Sequence, residues 1–334
     1  MDMKMRMNTN AGVNVSMSMN MNMDTNVDVN MNISDDLFLP LDESEKDSEF
    51  IAIESRSFIA DAARRFSRNK LAMAGFIVLS AVVLLAIFGP VFSHYTFDGQ
   101  DPSSRNSGSS LAHWFGTDKF GRDIFVRLLY GARISLMVGF VSAGINMAVG
   151  IAYGGISGYL GGKADMLMMR VVDIIYAIPS LLYVILIMLA LGSNIRSILI
   201  GICISSWVSM ARIVRSEILK LKTLEFSTAA FVIGASKARI LFRHLLINAL
   251  GPIIVTLTFM IPQAIFTEAF LSFVGVGISA PFASWGTLVQ DARAFIDIYP
   301  MQVVYPVLAI CVTIFSLNFI GDGLSDALNP KSRR

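Results

Sequence analysis

Residues 71–92 read LAMAGFIVLSAVVLLAIFGPVF, without one charged side chain. About 20 largely apolar residues in a helix cross roughly 30 Å of hydrocarbon, so this stretch is long enough to span a bilayer. Five more apolar stretches follow, at 134–159, 171–191, 195–214, 245–270 and 299–320. Lipid offers the backbone no hydrogen-bond partner, so each is expected to form a helix that satisfies its own amides and carbonyls. The expected fold is all-α: a polytopic membrane protein with six transmembrane helices.

Composition agrees. Of 334 residues, 54% are hydrophobic and 16% charged, whereas soluble domains carry about 25% charged residues. The net charge of +2 is spread along the chain, and without a concentrated basic domain no nucleic-acid partner is expected. Cys203 and Cys311 fall inside apolar stretches and read as small hydrophobes rather than as a disulfide or metal site. The first 33 residues hold nine Met and eight Asn, often alternating. Thioethers can hold Cu(I), but the pattern reads as a disordered low-complexity extension. It has no apolar core for a cleavable leader, so the first membrane helix is expected to act as an uncleaved signal.

Charge placement orients the spans. Arg56, Arg64, Arg65, Arg68 and Lys70 precede the first; Lys163 and Arg170 sit between the second and third. Arg215, Lys220, Lys222, Lys237, Arg239 and Arg243 fill the connection between the fourth and fifth, and Lys331, Arg333 and Arg334 end the chain. That bias predicts cytoplasmic N- and C-termini. Arg105, Lys119, Arg122, Arg127 and Arg133, after the first span, oppose it.

Two connections could carry function. Residues 225–248 read EFSTAAFVIGASKARILFRHLLIN. A short helix over 226–233, a turn at Gly234 and a second helix capped by Ser236 are predicted. Arg239 and Arg243 share one face of that helix, and Ile240, Leu241, Leu245 and Leu246 can meet the membrane or the bundle. Ala229 and Ala230 have little bulk, so a cleft on another protein could approach the backbone there; an ordinary interfacial connector is the alternative. Residues 113–131 read HWFGTDKFGRDIFVRLLYG. Gly116 and Gly121 allow tight geometry, and Asp118, Arg122 and Asp123 could form an ionic cluster in a structural outer cap. His113 has no nearby partners for a metal site.

Gly150, Gly154, Gly155, Gly158, Gly161 and Gly162 crowd the end of the second span, where small residues let helices pack closely. The run 158–164 fails as a phosphate loop, because the first glycine and the Ser/Thr after Lys163 are missing. No nucleotide site is therefore expected in this chain. Asp173, Glu268 and Asp322 lie near span ends and need partners, since an unpaired charge in lipid costs at least about 2.5 kcal/mol. Pro179 and Pro262 can bend or kink their helices.

From 64 to 334 the chain resembles the C-type permease subunits of bacterial oligopeptide and dipeptide ABC importers, within the binding-protein-dependent transport system inner membrane component family. Gly116-Thr117-Asp118, Gly121-Arg122-Asp123 and Gly131-Ala132-Arg133-Ile134-Ser135-Leu136 carry the likeness before and into the second span. Residues 271–277, LSFVGVG, Ser284-Trp285-Gly286 and Gly321-Asp322-Gly323-Leu324 continue it, with Asp326-Ala327-Leu328-Asn329-Pro330 at the end. The segment 225–248 resembles the family's EAA loop, which forms the cytoplasmic coupling helix seated on the ATPase. Ala229, Ala230, Gly234, Ala235, Ser236 and Arg239 match its coupling residues, while Thr228 stands for the usual Glu and Ile247 for the usual Pro. Asn329-Pro330-Lys331 departs from the usual Asp-Pro-Arg.

The resemblance implies a type I ABC importer permease fold. Composition and the resemblance together divide the chain into a disordered Met/Asn-rich and acidic cytoplasmic tail, 1–60, outside the likeness, and a permease domain, 61–334, with its core at 130–325. The resemblance also implies a homologous B-type permease, two cytoplasmic ATPases carrying ATP with Mg, an extracytoplasmic solute-binding protein and peptide as cargo, in the bacterial inner membrane. Nickel or another small solute is an alternative cargo. An autonomous secondary carrier is the alternative class, although neither inverted repeats nor ion-coupling groups stand out.

Overall fold

The computed structural model describes residues 4–8, 14–18 and 58–328, in two units divided between Arg56 and Ser57. In the N-terminal unit, strands β1 (Lys4–Asn8) and β2 (Asn14–Ser18) pair antiparallel, Lys4 opposite Ser18. Of the rest of the expected tail, only residues 58–60 are described, and they open the first helix below; Asn329, Pro330 and Lys331 at the other end also lie outside the described residues.

In the second unit, helix α1 (Phe58–Arg68) leads directly into α2 (Lys70–Phe88). The Asn69 side chain separates them, accepting the amides of Leu71 and Ala72 that would otherwise have no partner at the start of α2. Helix α3 (Ile124–Leu160) has 37 residues and is about 55 Å long at 1.5 Å per residue, so it projects well beyond the hydrocarbon. It starts before the apolar stretch because Asp123 caps it, accepting the Val126 amide at 2.8 Å.

The third apolar stretch is not one helix. It divides into α4 (Gly162–Ala177) and α5 (Ser180–Leu191), bent by 77°. Pro179 brings no amide and drives Ile178 into extended backbone, φ −94° and ψ 127°. Pro262, by contrast, lies within an unbroken helix. Helix α6 (Ile195–Lys222) is followed by the short α7 (Glu225–Val232) and by α8 (Lys237–Val274), whose segment Ile240–Leu245 is π-helical. Helices α9 (Trp285–Ala292) and α10 (Met301–Leu328) complete the unit. Five described helices are long and apolar enough to cross a membrane, and the bent α4–α5 pair brings the number to six when taken as one span.

Gly150, Gly154 and Gly158 form a ridge on α3 that lets α6 approach. A Cβ at Gly150 would lie 2.5 Å from the Met210 side chain, one at Gly154 would meet the Ala211 carbonyl, and one at Gly158 would come within 2.9 Å of the Arg215 carbonyl. Gly155 faces more open space, while Gly161 and Gly162 take φ of +66° and +57° where the chain passes from α3 to α4.

The ends of the helices share sides. Near the end of α10, a Cβ on Gly323 would meet Ala72 at the start of α2, and one on Gly251 in α8 would lie 3.9 Å from Leu328. Lys222 at the end of α6 donates to the Tyr159 carbonyl at 2.6 Å. One face of the bundle thus carries the start of α2, the end of α10 and the connection between α6 and α8.

Candidate functional site

That connection is a hydrogen-bonded elbow. Helix α7 closes where Gly234 adopts φ +82°, a conformation costing an L side chain about 1–2 kcal/mol. The Ala235 amide reaches back to the Ala230 carbonyl at 3.0 Å and the Gly234 amide to Phe231, also at 3.0 Å, which satisfies carbonyls left open by the helix end. Ser236 then caps the next turn by accepting the Arg239 amide at 3.3 Å.

The elbow has an inner and an outer surface. Ala230, 5% exposed, packs with Met210, Val214, Ile218, Ile240, Leu241 and Leu245, and Ala235 lies against the same cluster. Ala230 is therefore turned toward the bundle and not outward, and it anchors the elbow there. Ala229, Gly234, Ser236 and Arg239 are exposed. Between them stand Phe231, Val232 and Ile233, at 67%, 76% and 83% exposed. Sequence reasoning passed over these three, although three bulky apolar residues before a turn glycine were a visible signal.

Two ionic ties join α6, which runs into the elbow, to α4. Arg215 donates through two nitrogens to both oxygens of Asp165, each at 2.5 Å, and Ser157 of α3 donates to the same carboxylate at 2.5 Å. Farther along, Arg212 pairs with Asp173 at 2.8 Å and lies 4.3 Å from the Tyr176 ring centre. Asp173 therefore has the partner it was expected to need. Glu268 has serines rather than a cation: fully buried, it accepts from Ser135 at 2.9 Å and Ser272 at 2.8 Å. Asp322 is exposed.

On the opposite face, the loop before α3 is a tight structural knot. Gly116 and Gly121 take φ of +77° and +76°, and a Cβ on Gly121 would run into the Asp101 carbonyl. Asp118 accepts the amides of Phe120 and Arg122 and the Arg122 Nε at 2.6 Å. Asp123 does not join it; besides capping α3, it pairs with His113 Nδ1 at 2.8 Å. Sequence reasoning missed Asp291 on α9, which lies 3.1 Å from Arg122, 3.4 Å from Lys119 and 3.5 Å from Arg127. It also missed Gln302 on α10, which donates to the Thr117 carbonyl at 3.0 Å. Nearby, hydrogen bonds from Ser103 and Ser104 hold the Asp101 carboxyl down at about 2.

Between these faces lies a cavity of about 570 Å³, bounded by α3, the α4–α5 break, α6 and α8. Asn146, Ser205, Ser209, Gln263 and Thr267 give it a polar wall, and none of its described lining residues is charged. Among the described residues, no cluster of three His, Cys, Asp or Glu side chains could hold a metal ion.

A half-open cavity with a partly polar wall in a helical bundle, with an elbow on one face, suits a membrane permease. Residues 150–334 match the family model for the binding-protein-dependent transport system inner membrane component, and residues 57–109 match the N-terminal TM domain of oligopeptide transport permease C. The chain belongs to the binding-protein-dependent transport system inner membrane component family and is a multi-pass permease chain. It is 46% identical to the oligopeptide transport system permease protein OppC of Bacillus subtilis, over 90% of this chain and 99% of that one. It is 42% identical to the dipeptide transport system permease protein DppC of the same organism, over 90% of this chain and 95% of that one. A solved structure of the MetNI methionine ABC transporter in inward facing conformations superposes with a TM-score of 0.52. It covers 61% of this chain and 96% of that one at 17% identity, a likeness of fold.

Proposed function

We propose that this chain is the C-type permease subunit of an ATP-driven peptide importer, forming half of the translocation path. The observation that carries the reading is the exposed apolar tip of the elbow, Phe231, Val232 and Ile233, on an anchored turn. Three adjacent apolar side chains held out from a hydrogen-bonded support are suited to seating in a cleft of a partner. That partner is a cytoplasmic ATPase, which binds ATP with Mg; this chain supplies the lever and the path. Two ATPases, a homologous B-type permease and an extracytoplasmic solute-binding protein complete the complex, and both termini are cytoplasmic.

Ala229, Gly234, Ser236 and Arg239 border the docking tip, and Ala230 and Ala235 fix its position. Closure of the ATPase pair would push on the elbow, and α6 passes the displacement to α4 through Asp165–Arg215 and Asp173–Arg212. The push drives transport only because nucleotide binds the two conformations with different free energies. Hydroxyls and amides in the cavity wall suit a peptide backbone better than a divalent nickel ion, which imidazole ligands suit.

The test is transport in vesicles containing the complete complex. Peptide uptake should require ATP and be lost when Phe231, Val232 and Ile233 are all replaced by Asp. ATP-independent uptake driven by an ion gradient would instead identify an autonomous carrier.

A further inference from the structure

The loop before α3 carries apolar side chains that neither the knot nor the elbow uses. Leu111 is 98% exposed, Phe92 82% and Trp114 63%. The backbone beneath them is held in place. The Ser110 amide donates to the His113 carbonyl at 2.8 Å and the His113 amide to Ser110 Oγ at 3.0 Å, which makes a tight turn around Leu111. His113 is fixed in turn by Asp123 and lies 4.5 Å from the Tyr95 ring centre, while the Trp114 ring lies 5.1 Å from that of Phe125. Apolar side chains fixed in exposed positions call for something apolar to cover them.

Between this turn and the end of α2 runs a groove of about 430 Å³, bounded by Leu85 and Gly89, by Leu111 and Trp114 of the loop, and by Phe125 of α3. Depth identifies its occupant. The span Lys70–Val91 has 22 residues, about 33 Å at 1.5 Å per residue, against roughly 30 Å of hydrocarbon. Leu85 stands about 22 Å along that axis from Lys70, inside the hydrocarbon, and tilting the helix only sets it deeper. Loop residues that share a groove with Leu85 therefore meet the edge of the hydrocarbon. The groove also continues the exposed apolar side of α2, where Leu84, Leu85, Ile87 and Phe88 are each half exposed. It is separate from the cavity between α3, α6 and α8, which draws no described lining residue from α2 or this loop. We infer that the groove holds an acyl chain of a phospholipid in the leaflet away from the elbow, and so ties the loop at 110–114 to the membrane surface. The lining selects hydrocarbon and not a headgroup: its one acid among the described residues, Asp123, is already occupied by His113 and the Val126 amide. Aromatic rings at this level are where membrane proteins commonly place Trp and Tyr. The inference requires only the bilayer and holds whatever the cargo.

The test uses the unaltered chain in its complete complex, in vesicles of phosphatidylethanolamine and phosphatidylglycerol. A small share of the phosphatidylethanolamine carries a photoreactive diazirine along one acyl chain. Illumination should attach lipid to Leu111 and Trp114 as well as to Ile77 in the middle of α2, and should spare Gly108, which lies in the same loop outside the groove. Labelling of Leu111 and Trp114 no greater than that of Gly108, with Ile77 labelled, would overturn the groove. Leu111→Asp changes a side chain that the fold leaves uncovered, and should abolish the label at Trp114; undiminished labelling there would equally contradict an acyl chain between the two. A photo-crosslinking side chain at position 111 identifies any other occupant. An adduct of phospholipid mass is expected, and an adduct to a neighbouring protein alone would give the groove to that protein and overturn the inference.

Discussion

Asp118 accepts two backbone amides and an arginine Nε in a pocket where its neighbour Arg127 is only 2% exposed. Removing one member of a buried ionic group leaves the others charged and uncompensated, which costs about 3–5 kcal/mol. Asp118→Ala is therefore expected to lower the thermal unfolding temperature of the purified protein markedly, while Asp118→Asn, which keeps an acceptor, should lower it less. Equal melting of Asp118→Ala and the unaltered chain would contradict the knot. A second residue-scale prediction separates neighbours: Ala229→Trp should fold normally and lose ATPase association, because Ala229 is exposed. Ala230→Trp should instead reduce stability by about 1–3 kcal/mol or more through overpacking; unchanged melting of that second variant would show that position 230 does not face the bundle. The sequence made both alanines visible, but which one turns inward depends on the phase of α7 against Ile240 and Leu241. Likewise Asp118–Arg122 was legible as a local pair, whereas Asp291 lies on a distant helix that only the fold brings near.

The glycine ridge of α3 is a property of a whole helix. Gly150, Gly154 and Gly158 recur every four residues, which puts them on one face, and that face meets α6. Gly154→Val should separate the two helices and sharply lower the yield of folded protein. Gly144→Val is the control, since a Cβ there meets nothing within 4 Å. Equal yields of folded protein for the two would show that α3 and α6 do not need close approach. This ridge was readable from spacing alone. The break in the third stretch was not, although Pro179 was visible: proline leaves a helix free to kink or to part, and packing decides. Pro262 sits in a continuous helix and Pro179 at a 77° bend. The serine wall of α6 escaped notice for a related reason, since Ser205 and Ser209 become a site only when α3, α5 and α8 enclose them.

At the scale of the molecule, the two faces do different work. One is a knot that pins α3, α9 and α10 together; the other carries the elbow and the helix ends. The basic residues of the knot are largely occupied: Lys119, Arg122 and Arg127 by Asp291, and Arg133 by the Ala86 and Ile87 carbonyls at 2.5 and 2.6 Å. Their presence opposite the elbow thus has a structural reason apart from membrane orientation. Five of the six apolar stretches became helices long enough to cross a membrane, the other became the bent α4–α5 pair, and the turn glycine foretold the elbow. Its protruding tip required the fold, because exposure is settled by what the bundle leaves uncovered. The most direct measurement places a photo-crosslinking side chain at position 233 in the assembled complex, within vesicles of known orientation. The expected result is a crosslink to the ATPase subunit from the cytoplasmic side. Crosslinking only to a component outside the membrane, or none to the ATPase in a complex that still transports, would contradict the role given to the elbow.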